Sequence, residues 1–232
     1  MKLLQENRYS TAITCPYISS EKKFIQEYFF ATNVTKSEYQ SLLEASWRRF
    51  GIFYFRYACK NCNKCMPIRI NLKNFNLTKS QKKVVKKNKN TKVIIRTLQP
   101  SMEIYKVYEN HSLNKFNKKT NIQEFLETYY YKNDFALQSE YYIDDKLVAI
   151  GFLDKVNNAL SSIYFAYNTD YSNYSLGTFS VIYESQYALS LNLDFYYLGY
   201  YIKENKSMKY KNNFKENQII DKKSNRWIKN NE

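Results

Sequence analysis

The chain has 232 residues, 44% hydrophobic and 18% aromatic, with three prolines and four glycines; that supplies a sizeable core and excludes collagen-like, linker-dominated and disordered chains. Lys and Arg outnumber Asp and Glu by 36 to 21, a formal net charge of +15, which favours a polyanionic partner, nucleic acid before an anionic membrane. No apolar run approaches the roughly 18 residues of a membrane span, and "MKLLQENRYSTAITCPY" lacks the apolar region and cleavage site of a signal peptide, so no membrane association and a cytosolic location are expected.

The first dozen residues read as loose, and "CPYISSEKKFIQEYFF" reads as a turn followed by a strand bearing Phe24, Tyr28 and Phe30. "TKSEYQSLLEASWRRFG" reads as a helix with Ser37 as N-cap, Leu42, Leu43 and Trp47 on its apolar face, and Gly51 as its stop. The alternating "IFYFRYA" and "MPIRINLKNF" read as strands on either side of "CKNCNKC", which places Cys59, Cys62 and Cys65 at the tip of a hairpin-like connection. "LTKSQKKVVKKNKNTK" reads as a short helix with Thr78 as N-cap. Its Lys82 and Lys86, and Lys83 and Lys87, stack at i,i+4; such like-charge pairs cost an isolated helix about 0.2–0.5 kcal/mol each, so an anionic partner is expected to compensate.

After the strand "KVIIRTL", the turn Gln99-Pro100-Ser101 marks an expected boundary, giving units 1–98 and 101–215 and a tail 216–232. The second unit reads helix ("SMEIYKVYENHSLNKF"), helix ("TNIQEFLETYYYK"), strand ("FALQSEYYID"), strand ("KLVAIGFLDKV"), strand ("ALSSIYFAYN"), long helix ("NYSLGTFSVIYESQYALSLN") and strand ("LDFYYLGYYI"). An antiparallel meander followed by a helix and one more strand is an α+β, acyltransferase-like order rather than a βαβ dinucleotide fold.

Four cysteines in a cytosolic chain of this size point to metal or reactive thiols rather than disulfides. Cys59, Cys62 and Cys65, spaced C-x2-C-x2-C, with Cys15 as a distant fourth ligand, could hold an iron–sulfur cluster, or a tetrahedral zinc ion, or remain reduced thiols without metal. His111 is the lone histidine and reads as an ordinary hydrogen-bonded surface histidine at a polar helix end, so covalent catalysis is not the expectation. Alignment of "SLGTF" with a coenzyme A loop puts bulky Phe179 where a backbone must approach a pyrophosphate, which argues against that cofactor; the helix N-terminus beside Gly177 still offers N–H groups to an anion or oxyanion. Basic Arg48, Arg49, Arg69 and the four helix lysines, interleaved with Trp47, Phe50 and Tyr54, carry the ingredients of an RNA surface. In "WRRFG", adjacent arginines must point in different directions, so at least one is expected in a site.

Taken in order, "CPYI", "WRRFG", "CKNCNKCMPIRI", "TKSQKKVVKKN", "SSIYFAYNTDYSNYSLGTF", "YYLGYYI" and "MKYKNNF" resemble the bacterial aminoacyl-tRNA-protein transferases, in their aspartate/glutamate leucyltransferase branch, from about Cys15 to Phe214. The resemblance implies a GNAT-like acyltransferase fold behind an N-terminal Cys-containing α/β domain. It implies transfer of leucine from Leu-tRNA to the α-amine of proteins beginning with Asp or Glu, which marks them for N-degron degradation. Related arginyl-transferases carry an iron–sulfur cluster on N-terminal cysteines, which bears on Cys15, Cys59, Cys62 and Cys65; no cofactor is needed for the chemistry itself. Two departures stand out: Asn205 where relatives often have cysteine, and Lys215-Glu216 in place of a proline after Phe214.

With that donor, Arg48, Arg49 or Arg69 is expected to pair with the acceptor's carboxylate, with Lys211 in reserve. Asp154 or Tyr164 is expected to accept or relay a proton, the N–H groups near Gly177 to hold the oxyanion, and Lys82, Lys83, Lys86 and Lys87 to hold tRNA. Arginine as donor, a non-catalytic RNA-binding protein and an acetyltransferase are the competing readings.

Overall fold

The computed structural model describes residues 1–18, 22–221 and 224–230. The chain opens as β1 (Lys2–Tyr9), followed by the short β2 (Ile13–Thr14) and β3 (Lys23–Phe24), which pair with each other, and by β4 (Gln26–Thr32). The first residues are therefore not loose. β1 is antiparallel to β4, with Lys2 opposite Thr32 and Arg8 opposite Tyr28; its residues are almost all exposed, so it carries no apolar alternation by which to recognise it.

α1 (Lys36–Glu44) is shorter than the sequence suggests, and its N-cap is Thr35 rather than Ser37: Thr35 and Glu38 form a capping box, worth on the order of 1 kcal/mol. The helix buries Tyr39 and Leu43 and ends before Trp47. "RRF" is then a strand, β5 (Arg48–Phe50), turned back at Gly51 into β6 (Phe53–Tyr57). Gly51 has φ +55°, and a Cβ there would lie 2.5 Å from the Glu127 carbonyl oxygen, so glycine is required by conformation and by space. β1, β4, β6 and β5 form a four-stranded sheet in that order.

The remaining strands are β7 (Met66–Asn71), β8 (Lys92–Thr97), β9 (Ala136–Ile143), β10 (Lys146–Lys155), β11 (Ala159–Tyr167), β12 (Phe195–Tyr201), β13 (Asn217–Asp221) and β14 (Arg226–Lys229). They form an eight-stranded sheet in the order β14-β13-β7-β12-β11-β10-β9-β8. β6 and β7 thus lie in different sheets, and the cysteine loop crosses between sheets rather than capping a hairpin; alternation shows that a segment is a strand but not which strand it pairs with. β7 and β8, from before the Gln99-Pro100 turn, and β13 and β14, from after residue 215, share one sheet with the meander.

Helices cover both faces of the large sheet, a mixed α and β architecture. α3 (Met102–Phe116) and α4 (Ile122–Tyr129) bury Ile104, Val107 and Phe125 against Ile150 and Phe152. α5 (Leu176–Ser190) buries Val181 and Ile182 against Ile68, Ile70, Leu160 and Tyr196, with α2 (Lys79–Lys87) alongside through Val84 and Val85. α2 has the expected N-cap, Thr78, in a capping box with Gln81. The small sheet and α1 dock through Phe29, Tyr39, Leu43, Trp47 and Tyr54 onto Phe135, Val156, Ala159 and Tyr197. On the buried face of α5, Glu184 accepts from Ser139 Oγ (2.7 Å), Tyr141 OH (2.8 Å) and Tyr196 OH, and burial pushes its carboxyl pKa up. No helix among the described residues is long and apolar enough to cross a membrane.

Candidate active site

β11 and β12 run parallel and pair only from Ala159↔Phe195 to Ser161↔Tyr197; beyond that point they part. Both are bulged where they separate, β11 between its pairings at Ser162 and Tyr164 and β12 between Tyr197 and Gly199. The bulges increase local twist and open the sheet. Into the gap open Ser162–Phe165 and Tyr167 of β11, Leu198–Tyr200 of β12, the start of α5 and one face of the small sheet, lining a cavity of about 1000 Å³.

Arg48 projects from β5 into this gap. Its Nη1 donates to Ser161 Oγ (3.0 Å) and its Nη2 to the Ser162 carbonyl, which has left the ladder to β12. Two interactions use only part of the five-donor guanidinium fork. Across Gly199 lies Lys211: a Cβ on Gly199 would be 3.7 Å from Lys211 Nζ and 3.8 Å from Arg48 Nη2, and φ +86° admits glycine far more readily than other residues. Lys211 Nζ donates to the Tyr200 carbonyl (3.0 Å). Its removal from bulk water, then the nearby Arg48 charge, push its pKa down to about 7.

The cavity lining holds Arg48, Arg49, Lys115, Lys206 and Lys211 and, among the described residues, no Asp or Glu. Apolar walls come from Phe50, Phe55, Ile163, Phe165, Leu176 and Leu198. Tyr57 stacks on Tyr200 with ring centroids 4.0 Å apart, and the Tyr200 hydroxyl accepts from Tyr57 N–H (3.2 Å). His111, expected at a polar helix end, is buried and lines the cavity; Tyr167 N–H donates to its Nδ1 (3.3 Å), and burial lowers its pKa. Lys115 sits one helical turn further along α3, and that i,i+4 spacing is the sequence signal that puts His111 and Lys115 on one face. Asn205 donates from Nδ2 to the Tyr17 carbonyl (3.0 Å), tying two cavity-lining segments together.

The expected site residues divide. Arg48, Lys211, Tyr164 and Gly177 all line the cavity. Tyr164 is held up in pKa by burial and by Tyr108, so it stays protonated and donates rather than acting as a base. Gly177 lies at N2 of α5. The amides of Thr178 and Phe179 donate to the Ser175 carbonyl, which leaves those of Leu176 and Gly177 without a backbone acceptor among the described residues; a Cβ on Gly177 would meet nothing within 4 Å. Phe179 turns into the core beside Tyr141, so its bulk does not bear on what approaches the helix start.

Asp154 is fully buried and committed to Arg49, accepting from Nε (2.8 Å) and from Nη2. The carboxylate contributes to holding the Arg49 pKa above its ordinary value despite burial. Each group occupies the other, so Asp154 is not an available proton acceptor, nor Arg49 an available carboxylate receptor. Arg69 lies outside the cavity lining. It is caged by the rings of Phe195 (3.7 Å to the centroid) and Trp227 (4.4 Å), and donates to Gln218 Oε1 and Tyr197 OH (2.8 Å each).

Lys82, Lys83, Lys86 and Lys87 are all exposed on α2. That helix is pinned near the cavity at both ends: Gln81 Nε2 donates to the Asn213 carbonyl (3.2 Å), two residues beyond Lys211, and Asn88 Nδ2 donates to the Tyr174 carbonyl (2.9 Å), just before α5. Trp47 and Tyr54, expected with Phe50 on an RNA surface, are buried on the core side of the small sheet. Cys15, Cys59, Cys62 and Cys65 are half-buried, and none of them is in a disulfide. Cys59 Sγ accepts from the Ile25 N–H (3.4 Å), and Cys15 and Cys65 both lie near enough to the Tyr17 hydroxyl to add to the rise in its pKa that burial causes. Among the described residues no three Cys, His, Asp or Glu side chains converge as a metal-holding group.

Family models described as the N terminus and the C terminus of arginine-tRNA-protein transferase match residues 13–83 and 100–221. A Campylobacter jejuni protein named aspartate/glutamate leucyltransferase is 38% identical over 213 residues, covering 89% of each chain. A Helicobacter hepaticus protein of the same name is 31% identical, over 91% of this chain and 90% of the relative. The crystal structure of FemX aligns with a TM-score of 0.48 over 85% of this chain and 79% of that chain, at 7% identity.

Proposed function

The chain belongs to the arginine-tRNA-protein transferase family, and from that membership we propose that it transfers leucine from Leu-tRNA to the α-amine of proteins beginning with Asp or Glu, in the cytosol, as a degradation mark. The observation that carries this reading is the cavity lining, which among the described residues offers cations and apolar walls without a carboxylate. A leucyl side chain finds the apolar wall it needs. An arginyl side chain would bury its guanidinium without a counter-ion, a cost of several kcal/mol. The meander β9–β11, followed by α5 and the splayed β12, supports a GNAT-like acyltransferase fold.

Arg48 and Lys211 receive the acceptor's side-chain carboxylate beside Gly199, Arg48 with the unspent part of its fork. An entering carboxylate favours the charged form of Lys211, so binding brings a proton with it. The α-amine, with a pKa near 8, attacks the ester carbonyl of the charged tRNA. A C–N bond forms, the C–O bond to the terminal ribose breaks, and the amine's proton passes to the departing ribose oxygen. The free amides of Leu176 and Gly177, at the positive end of α5, steady the oxyanion between those events. The Tyr164 hydroxyl, kept protonated by burial, donates a hydrogen bond to the departing ribose oxygen. The ester is already activated, so orientation supplies much of the rate.

The donor test is direct: purified protein is offered tRNA charged with labelled leucine or labelled arginine, together with an Asp-starting peptide. Label is expected on the peptide from leucine. Transfer from arginine in its place would overturn the donor assignment, and transfer from neither would overturn the enzymatic reading.

A further inference from the structure

One face of the small sheet carries an aromatic surface of which the chemistry above uses only Phe50 and Phe55, at its cavity end. Along β4, Phe29 and Ala31 face the core, which turns Tyr28 and Phe30 to the other side. In the ladder Tyr28 is opposite Phe55, Phe30 opposite Phe53, and Phe53 opposite Phe50, so these rings share that face. They run on from one another: Phe30 to Phe53 5.3 Å, Tyr28 to Phe53 5.5 Å, Phe53 to Phe55 5.5 Å and Phe55 to Phe50 5.4 Å between centroids. Tyr28, Phe30, Phe53 and Phe50 all keep part of their surface exposed.

The row ends inside the active site, because Phe50 and Phe55 line the cavity, as does Arg48 opposite Phe55. Its far edge carries two cations, Arg8 opposite Tyr28 and Lys2 opposite Thr32 on β1, with the exposed Glu6 between them in sequence. Adjacent strands are about 4.8 Å apart, so the row from β4 to β5 covers about 10 Å, close to the length of three stacked bases at about 3.4 Å each. Rings flanked by cations, on an open sheet face that leads to a reaction centre, suit unpaired nucleobases: each base has a π-face to stack, and the cations meet the phosphates.

We infer that this face is a stacking platform for the unpaired 3′ end of the donor RNA, whose last bases lie along Tyr28, Phe30 and Phe53 so that the ester they carry enters the cavity past Phe50 and Phe55. The inference rests on the reading of the chain as a transferase that takes a charged tRNA. It assigns the single-stranded end to the small sheet, apart from the lysine helix on the large one.

The test varies donor and acceptor separately in Phe53→Ala and in the double variant Tyr28→Ala/Phe30→Ala. KM for charged tRNA is expected to rise about tenfold for each stacking ring removed, with KM for the acceptor peptide unchanged. Wild-type protein provides a measurement that needs no variant: tRNA lacking its three unpaired terminal nucleotides is expected to compete at least about tenfold more weakly than intact uncharged tRNA, and a photoreactive base at the 3′ end to crosslink to the peptide carrying Tyr28 and Phe30 or to that carrying Phe53. Truncated tRNA competing as well as intact tRNA overturns the inference. So does a folded variant with unchanged KM for tRNA, or one whose acceptor KM rises instead, which would make the face a peptide site. Absence of transfer from any charged tRNA by the wild type would sink the transferase reading instead, and the competition would still decide whether the face holds an RNA end.

Discussion

Arg48 and Arg49, neighbours on β5, send their guanidinium groups to opposite sides of the strand: Arg49 to the buried Asp154 carboxylate, Arg48 to Ser161, Ser162 and the cavity. Strand alternation alone separates them. One arginine fastens the small sheet to β10, and the other furnishes the site.

Removal of one partner of the buried pair should therefore act on stability. Asp154→Ala leaves the Arg49 charge unpaired in the core, and denaturant unfolding is expected to show a loss of about 3–5 kcal/mol, with activity tracking the folded fraction. An Asp154→Asn protein of unchanged stability whose kcat falls a hundredfold would return Asp154 to the reaction.

Arg48→Met and Lys211→Met should each lower kcat/KM for Asp- and Glu-starting peptides by about 10- to 100-fold, the range of a hydrogen bond to a charged group. Arg48→Lys should not restore it, because a point charge lacks the fork that spans Ser161, Ser162 and a ligand. Retention of full acceptor selectivity in both Met variants would remove these residues from recognition.

The pH dependence of acceptor binding should carry the signature of Lys211. Its charged form attracts the carboxylate and, with a pKa pushed down to about 7 in the free protein, is lost as pH rises through that value. Equilibrium binding of an Asp-starting peptide is expected to weaken above about pH 7 and, by calorimetry in buffers of different ionisation heat, to take up a proton near pH 8. Arg48→Met removes a like charge, so the midpoint should move to higher pH. Binding that is flat from pH 6 to 9 would contradict the assignment.

Neutralising Lys82, Lys83, Lys86 and Lys87 together should weaken tRNA binding and flatten its dependence on salt, by roughly 0.7–0.9 in the log–log slope for each phosphate no longer neutralised. An unchanged slope would place the RNA elsewhere. The exposure of all four side chains makes an effect on stability small, so circular dichroism should be unaltered.

The meander, α2 with its Thr78 cap, and α5 followed by β12 were legible because their periodicity and caps are local properties. β1 was not, because an edge strand exposed along most of its length has no apolar alternation to read. "WRRF" looks helical by its neighbours and becomes a strand only through pairing of Arg49 with Tyr54. The same non-locality explains the site. Arg48, Gly199 and Lys211 form one cluster through two bulged strands, and nothing near Arg69 in sequence announces the cage of Phe195 and Trp227. The aromatic face was half visible: rings and arginines stood together in the sequence, but strand register decided that Phe50 points outward while Trp47 and Tyr54 are buried.

The most direct measurement of the central claim compares labelled leucine transfer from Leu-tRNA to four peptides that differ only in their first residue: Asp, Glu, Asn and Lys. A cavity lined by cations and, among the described residues, by no carboxylate predicts transfer to Asp and Glu, about tenfold or more less to Asn, and none detectable to Lys. Equal transfer to Asn, or any preference for Lys, would contradict the account.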